Sequence, residues 1–581
     1  MPPLEATMVD LLSINPGLWL ILAGIACVFL PYQARKWIMV SAPVFAGFVI
    51  FGTFAAYPEG LAGGFLPFGE NTLVTYRADS LSRIWAYIFC FAAFLNGLYS
   101  WHERAKITDS AAMVYQGAAL AAVLVGDLIS LFIFWELTVI SSVFLVWAGG
   151  SKSYNAGMRY MAWHILSGVL LLAGAVMHAR ANGGDFTFGN IGLESPGGWL
   201  MLIGIGIKAG FPLLHMWIED AYPKASVTGT VILSAFTTKL AIYALARGFA
   251  GEELLIYVGA IMTVFPVFFA VIENDLRRVL SYSLNNQLGF MVCGIGIGTG
   301  LALNGAAAHV AAHVVYKALL FMSMGAVLHR VGTAKASDLG GLFRTMPYTT
   351  IFCLIGAASI AAFPLFSGFV TKSMILSAAL YEHHWIALGM LIFASAGVME
   401  HSGIKVPFFA FFAHDSGKRP PEAPTNMLVA MGIAAAFCIL VSLPGVYPYL
   451  YALLPNPKYS YSPYTPDHVV FQLQLLFAAM FAFALLKRLH LYPAERRAEI
   501  LDVDVIYRKV GYGFVGWLGE MLERLGARTR YVRTRAVGGV GRRLYHLFSP
   551  AGDLSAMAPV GLPAVVVAGA LAVAALVAYL A

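Results

Sequence analysis

The chain has 581 residues, of which 59% are hydrophobic and only 12% charged. An average soluble domain carries roughly 25% charged residues, so a soluble protein of this size could not cover its surface, and disordered or collagen-like structure is excluded on the same grounds. The composition is that of an integral membrane protein with length enough for many spans. The net charge of +7 comes from 37 basic and 30 acidic residues. Segment 487–543 alone holds 13 basic and six acidic residues, so the whole excess lies there and the remainder is balanced. A localised excess of this kind does not indicate nucleic acid. The five cysteines, Cys27, Cys90, Cys293, Cys353 and Cys438, lie far apart in apolar stretches without metal spacing and read as small buried hydrophobes. Residues 1–10 lack a basic region before the first apolar run, which argues against a cleaved signal peptide.

Apolar runs of helix length give about sixteen spans. In chain order they fall near 17–31, 36–56, 80–100, 110–126, 128–148, 160–179, 198–221, 226–247, 254–272, 280–299, 302–328, 347–380, 384–412, 426–450, 467–486 and 559–580. Two of them are interrupted. The seventh contains Ala209-Gly210-Phe211-Pro212, and the twelfth contains Phe363-Pro364 and Gly368. An internal proline removes a helix hydrogen bond and clashes with the preceding turn. Within a membrane this is tolerated where the freed backbone meets protein or a water-filled cavity.

Lys and Arg concentrate in the loops after odd-numbered spans, from Arg35 and Lys36 to Lys418 and Arg419, whereas the even loops hold little beyond Arg77, Arg180 and Arg247. Positive-inside bias then puts the N-terminus outside and the odd loops in the cytoplasm of a cell (inner) membrane. The same parity makes the basic arm cytoplasmic. The local sequences Phe211-Pro212-Leu213-Leu214 and Phe363-Pro364-Leu365-Phe366 lie five spans apart, so their helices run in opposite senses. Spans 4–8 and 9–13 therefore read as two inverted five-helix repeats, with broken helices 7 and 12. The competing reading is chance recurrence of a short apolar tetrapeptide; the lysine near each break, Lys208 and Lys372, favours the repeat. The expected fold is all-α and polytopic. Its divisions are N-terminal helices over 1–105, repeats over 106–250 and 251–412, and C-terminal helices over 413–486. A basic amphipathic arm over 487–550 and a final span within 551–581 follow.

Ionisable residues inside spans cost about 2.5–3.5 kcal/mol each at a helix centre and are the informative positions. Glu136 lies in the fifth span, Lys208 in the seventh and Lys239 in the eighth. His309, His313 and Lys317 recur at i, i+4 and i+8 of the eleventh, which keeps them on one helix face. Lys372 follows the second break, and Glu400 comes late in span thirteen. A structural set of buried pairs is the bland alternative. The chemistry such a line supports is proton movement: a desolvated lysine releases its proton more readily, a neighbouring carboxylate restores its hold, and imidazoles relay in either direction.

At these residues the chain resembles a known family. Gly126-Asp127-Leu128 through Phe134-Trp135-Glu136-Leu137, Lys208-Ala209-Gly210-Phe211-Pro212 through Trp217, and Glu273 through Ser283 are similar to the antiporter-like subunits. So are His313 through Phe321 and Phe366 through Lys372. These comprise the D subunit of Mrp-type Na⁺/H⁺ antiporters and the proton-translocating membrane subunits of respiratory complex I. The resemblance implies that Glu136 and Lys208 form a gating pair, that Lys239, His309, His313 and Lys317 form a central relay, and that Lys372 is the distal exit lysine. Two features depart from the Mrp D subunit. The chain adds spans fifteen and sixteen, and the arm between them resembles the lateral-helix extension of the largest complex I antiporter-like subunit. Asn285-Asn286-Gln287 also replaces the family's usual small hydroxyl residues.

The resemblance implies partners in a Mrp-like or complex I-like assembly, with protons, and Na⁺ as a candidate cation, as cargo in a lipid bilayer. No cysteine cluster, haem motif, Walker loop or dinucleotide-binding glycine motif is present, so no cofactor is expected and any redox chemistry belongs to partner subunits. Three functions remain open: a Na⁺/H⁺ antiporter subunit, a proton-pumping subunit of a respiratory or hydrogenase complex, and a proton-coupled subunit for inorganic carbon uptake. A structural anchor without conduction is the non-transport alternative. The arm reads as an amphipathic lateral helix against anionic lipid or a neighbouring subunit, with a solvated loop as the alternative.

Overall fold

The computed structural model describes residues 13–69 and 71–495, with isolated residues between 500 and 572. Its contacts divide the chain into two units, Met1–Ala498 and Glu499–Ala581. The fold described below is that of the first. Segment 496–499, most of the basic arm and most of the sixteenth expected span lie outside the described residues.

The helices follow the apolar runs. They are α1 (Gly17–Phe29), α2 (Tyr32–Ala56), α3 (Ser80–Tyr99), α4 (Lys106–Val123), α5 (Leu128–Trp147) and α6 (Tyr154–Ala181). Next come α7 (Pro196–Ala209), α8 (Met216–Ala221), α9 (Val227–Gly248), α10 (Glu253–Ile272), α11 (Leu276–Ile297) and α12 (Gly300–Val331). The last described are α13 (Pro347–Ile360), α14 (Ser367–Tyr381), α15 (Trp385–Val398), α16 (Thr425–Leu440), α17 (Tyr447–Tyr451) and α18 (Pro466–Arg488). Among the described residues nine helices are long and apolar enough to cross a membrane, and four shorter apolar helices accompany them. Over their most apolar stretches α9 and α12 are wholly buried, while α18 is mostly exposed. The core is therefore centred on the two helices that carry Lys239 and the His309/His313/Lys317 face.

Three differences from the sequence reading stand out. First, residues left between the second and third spans form an antiparallel hairpin, β1 (Leu61–Phe68) with β2 (Asn71–Ala78), pairing Leu61 with Ala78 and Phe65 with Val74. Strands need only about 5–6 residues, so a search for helix-length runs passes over them. The hairpin docks on the start of α5: Asp127 caps that helix by accepting from the Ser130 amide at 2.7 Å, and its second oxygen accepts from the Val74 amide at 2.9 Å. Second, the thirteenth span changes character along its length. After α15 it continues as π-helix over Met399–Lys405 and Phe408–Phe412, a local widening often found at functional positions. Third, the fourteenth span ends at Leu440, and the remainder of that run is turns and the short α17.

Both expected interruptions are present. α7 ends with Gly210 in the left-handed region, φ +78°, and α8 begins only at Met216. α13 ends at Ile360 and α14 begins at Ser367. The leucine after each proline, Leu213 and Leu365, has φ +71°, a conformation an L-residue adopts at a cost of roughly 1–2 kcal/mol. Carbonyls released at the breaks find donors within the protein. The Trp217 indole N–H donates to Ile207 O at 2.8 Å, and the Gln472 amide donates to Ala361 O at 3.1 Å. These bonds meet the condition under which broken helices survive in a membrane.

Candidate functional site

Glu136 is 8% exposed on α5, and its carboxylate rests against Gly168 of α6, where any side chain would collide with it. Oε1 has no hydrogen-bond partner among the described residues. Lys208, in the last turn of α7 and fully buried, reaches across to the same stretch of α5. Its Nζ donates to Thr138 Oγ1 at 2.9 Å and to Trp135 O at 3.1 Å, and lies 4.1 Å from the centroid of the Trp135 ring. The lysine thus contacts α5 on either side of Glu136. No ion pair within 4 Å joins the two among the described residues, so this structure holds the expected pair apart. Ser167 fixes the surroundings: its hydroxyl donates to Gly204 O at 2.6 Å and accepts from the Trp135 indole at 3.1 Å.

Lys239 is fully buried midway along α9, where Nζ donates to Ser234 O at 2.6 Å and Thr238 Oγ1 at 3.2 Å. On α12 the His309 and His313 rings are 6.1 Å apart, one helical turn from each other. His309 joins the second broken helix, with Nδ1 2.9 Å from Thr371 Oγ1, while Nε2 lies 3.3 Å from the Tyr316 hydroxyl. Neither ring nitrogen of His313 nor Nζ of Lys317 has a hydrogen-bond partner among the described residues. Lys372 is 2% exposed on α14; its Nζ donates to Ile360 O at 2.8 Å, the last carbonyl before the break, and lies 5.0 Å from the Phe290 ring centroid. All seven residues expected at the site are buried in the first unit.

Other polar residues accompany this set; Glu400 and the Asn285-Asn286-Gln287 run stand out in the sequence, whereas His164 and Lys405 were not among the expected residues. His164 on α6 is buried between the Tyr160 and Trp217 rings, at 4.2 and 4.3 Å, with neither nitrogen bonded among the described residues. Gln287 accepts from Tyr316 at 3.0 Å, so one residue of the unusual Asn285-Asn286-Gln287 run supports the His309 face. Lys405 in the π-helical turn donates to Val271 O at 2.5 Å and Glu273 O at 2.7 Å, and pairs with Glu495 at 3.2 Å. Glu400 is half-buried and accepts from the Tyr492 hydroxyl at 2.5 Å. Lys405 was legible as a lone charge in an apolar run. Nothing local distinguishes His164.

The fold and this set of residues define a polytopic helical membrane protein with two interrupted helices and a set of buried carboxylate, ammonium and imidazole groups. Residues 125–398 match the family described as NADH:quinone oxidoreductase/Mrp antiporter, transmembrane. Hydrogenase-4 component B of Escherichia coli (strain K12) is 28% identical over 66% of this chain and 64% of its own length. The D subunit of the Na(+)/H(+) antiporter of Alkalihalophilus pseudofirmus is 32% identical over 50% of this chain and 63% of its own. The chain thus spans a little under two thirds of these two relatives. The corresponding Na(+)/H(+) antiporter protein of Bacillus subtilis (strain 168) is 25% identical over 66% of this chain and 81% of its own. A chain of the Mrp complex from Dietzia sp. DQ12-45-1b shares the fold with TM-score 0.74 at 22% identity, over 95% of this chain and 63% of that one. A chain of respiratory complex I from Thermus thermophilus does so with TM-score 0.65 at 20% identity, over 76% of this chain and 99% of that one.

Proposed function

We propose that this chain is a proton-translocating, antiporter-like subunit of a multi-subunit membrane complex, and that it serves a monovalent cation (Na⁺)/H⁺ antiporter in the manner of the Mrp D subunit. The observation that carries the reading is the buried file itself. Glu136 and Lys208 stand at the first break, Lys239 and the His309/His313/Lys317 face on the two central helices, and Lys372 at the second break. Buried charges without an ion-pair partner are costly, and a set of them in one core is the expected signature of a proton path.

Lys208 acts as the switch. In the present geometry Thr138 and Trp135 hold its ammonium beside Glu136 rather than on it. Rotation toward the carboxylate strengthens its hold on the proton, and rotation away weakens it and passes the proton toward Lys239. The α12 imidazoles carry it between Lys239 and Lys372. Sixteen spans, inverted repeats over 106–250 and 251–412, an outside N-terminus and a cytoplasmic lateral arm at 487–550 belong to the same reading. The equal φ of Leu213 and Leu365 supports the repeat.

Lys208→Ala and Glu136→Ala are expected to abolish ion-coupled transport in membrane vesicles. Unchanged transport by a normally assembled complex would overturn the proposal. A second reading, a pump subunit of a respiratory or hydrogenase complex, is favoured by the likeness to hydrogenase-4 component B and by the chain continuing past α18. The proteins that co-purify separate the two: small antiporter subunits for the first, redox modules for the second.

A further inference from the structure

A cavity of about 340 Å³ opens between α14, α15 and the first turns of α18. Lys372 and Ala362 line its inner end, beside the second break, and Asp467 and His468 line it on α18. From Lys372 the cavity follows α14 to Leu380, eight residues or about 12 Å along the helix axis. Much of its wall is apolar, with Phe369, Leu376 and Phe471 among the lining side chains. One polar line crosses it. Ser377 Oγ, a little over one turn from Lys372, lies 3.4 Å from His468 Nε2 and 3.0 Å from the Tyr461 hydroxyl. His468 Nδ1 is buried without a hydrogen-bond partner among the described residues, and Asp467 beside it is exposed. No ion pair among the described residues accounts for a carboxylate, an imidazole and a buried ammonium around one opening.

We propose that this cavity is a hydrated port through which Lys372 exchanges protons with the aqueous phase, with His468 and Asp467 as the relay at its mouth. The inference rests on the proton path described above and adds its terminus. The Lys372 ammonium gives one proton to cavity water and keeps the nitrogen lone pair. One ring nitrogen of His468 accepts that proton, and the other releases one to Asp467 or to bulk water. The sequence runs equally in reverse, and one proton moves per cycle.

The test uses the intact complex in membrane vesicles and exploits the burial of all five native cysteines. Leu376→Cys puts a thiol in the cavity one turn from Lys372. A charged, membrane-impermeant thiol reagent is expected to modify it from one side of the membrane only, and to slow proton transport about tenfold while leaving the parent complex unaffected. Reaction with a lipid-soluble reagent but not the charged one means a lipid-filled crevice and overturns the proposal, as does full transport after complete modification. His468→Ala is expected to slow transport about tenfold and to recover with added imidazole, which the cavity is large enough to admit. A normal rate in that variant removes His468 from the path. Lys208→Ala distinguishes the two levels: if it leaves transport intact the whole path is wrong, whereas if it abolishes transport and the port variants do not respond, only the port is wrong.

Discussion

Gly168 offers a way to move Glu136 without touching it. A Cβ at this position would lie 1.6 Å from Oε1 of Glu136 and 2.6 Å from its Cδ. Non-bonded heavy atoms settle at about 3.5 Å, so in Gly168→Ala the carboxylate must retreat by about 2 Å. The obstacle is the far end of a flexible side chain, so α5 and α6 keep their places. The stability cost is at most the about 1–3 kcal/mol of ordinary overpacking, partly offset because alanine favours helix by roughly 1 kcal/mol over glycine. Transport should respond more strongly. A misplacement of about 1 Å at a proton-transfer geometry can cost on the order of a hundredfold, so the rate of ΔpH formation in vesicles is expected to fall at least about that far. Gly174→Ala on the same helix is the control. Its Cβ would meet Gly197 O at 2.6 Å and Met201 N at 2.8 Å, backbone of α7 that cannot yield. That variant should lose assembly, whereas Gly168→Ala should assemble and fail to transport. In a double-mutant cycle the destabilisation by Gly168→Ala should vanish in a Glu136→Ala background, a coupling of about 0.5 kcal/mol or more. Wild-type transport by Gly168→Ala would refute the role given to the Glu136 position.

Further outcomes follow from the same geometry. Thr138→Val keeps the shape but removes the hydroxyl that holds Lys208 at 2.9 Å, a bond to a charged group worth about 1.5–3 kcal/mol; transport should slow several-fold and recover in Thr138→Ser, and equal rates in both variants would contradict the switch. Asp109→Asn strands two buried cations, Arg35 and Lys36, which now pair with it at 2.6 and 2.7 Å; the loss should be about 3–5 kcal/mol, read as a lower unfolding temperature in detergent, and an unchanged value would show the triad to be dispensable. His102, in the loop after α3, has its pKa pushed down from 6.5 to about 4 by burial and by the neighbouring His329 and Lys36, with Arg330 adding to them. Between those values the unfolded chain binds a proton that the folded one does not, so stability falls as pH drops from 6.5 toward 4. His102→Phe should flatten that part of the pH–stability curve, and an identical slope in the variant would count against this assignment.

The helices were legible because membrane-spanning segments follow apolar length, a property of consecutive residues. The breaks were legible for a related reason: Gly210-Phe211-Pro212 and Phe363-Pro364 cannot continue a helix, whatever surrounds them. The hairpin at 61–78 was not legible to a reading tuned to helix-length runs. The π-helical turn at Met399–Lys405 carries no local signature, since its geometry comes from packing and from Lys405 bonding the carbonyls that end α10.

Residue type and span position singled out the seven candidate positions, because an ionisable side chain in an apolar run is conspicuous wherever it folds. Their relations needed the fold. That Lys208 sits on Thr138 and Trp135 rather than on Glu136, that His309 meets Thr371 of the broken α14, and that His468 faces Ser377 across 91 positions of sequence are contacts between distant segments. The +7 excess shows the same division. Composition alone assigned it to the basic arm and left the rest of the chain neutral. Within that neutral remainder, only tertiary packing decided which opposite charges meet, as Arg35, Lys36 and Asp109 do, and which buried charges face one another across the core without a partner. Membrane burial is set by local hydrophobicity, whereas proton paths are set by distances of a few ångströms between helices, and those exist only once the helices have packed.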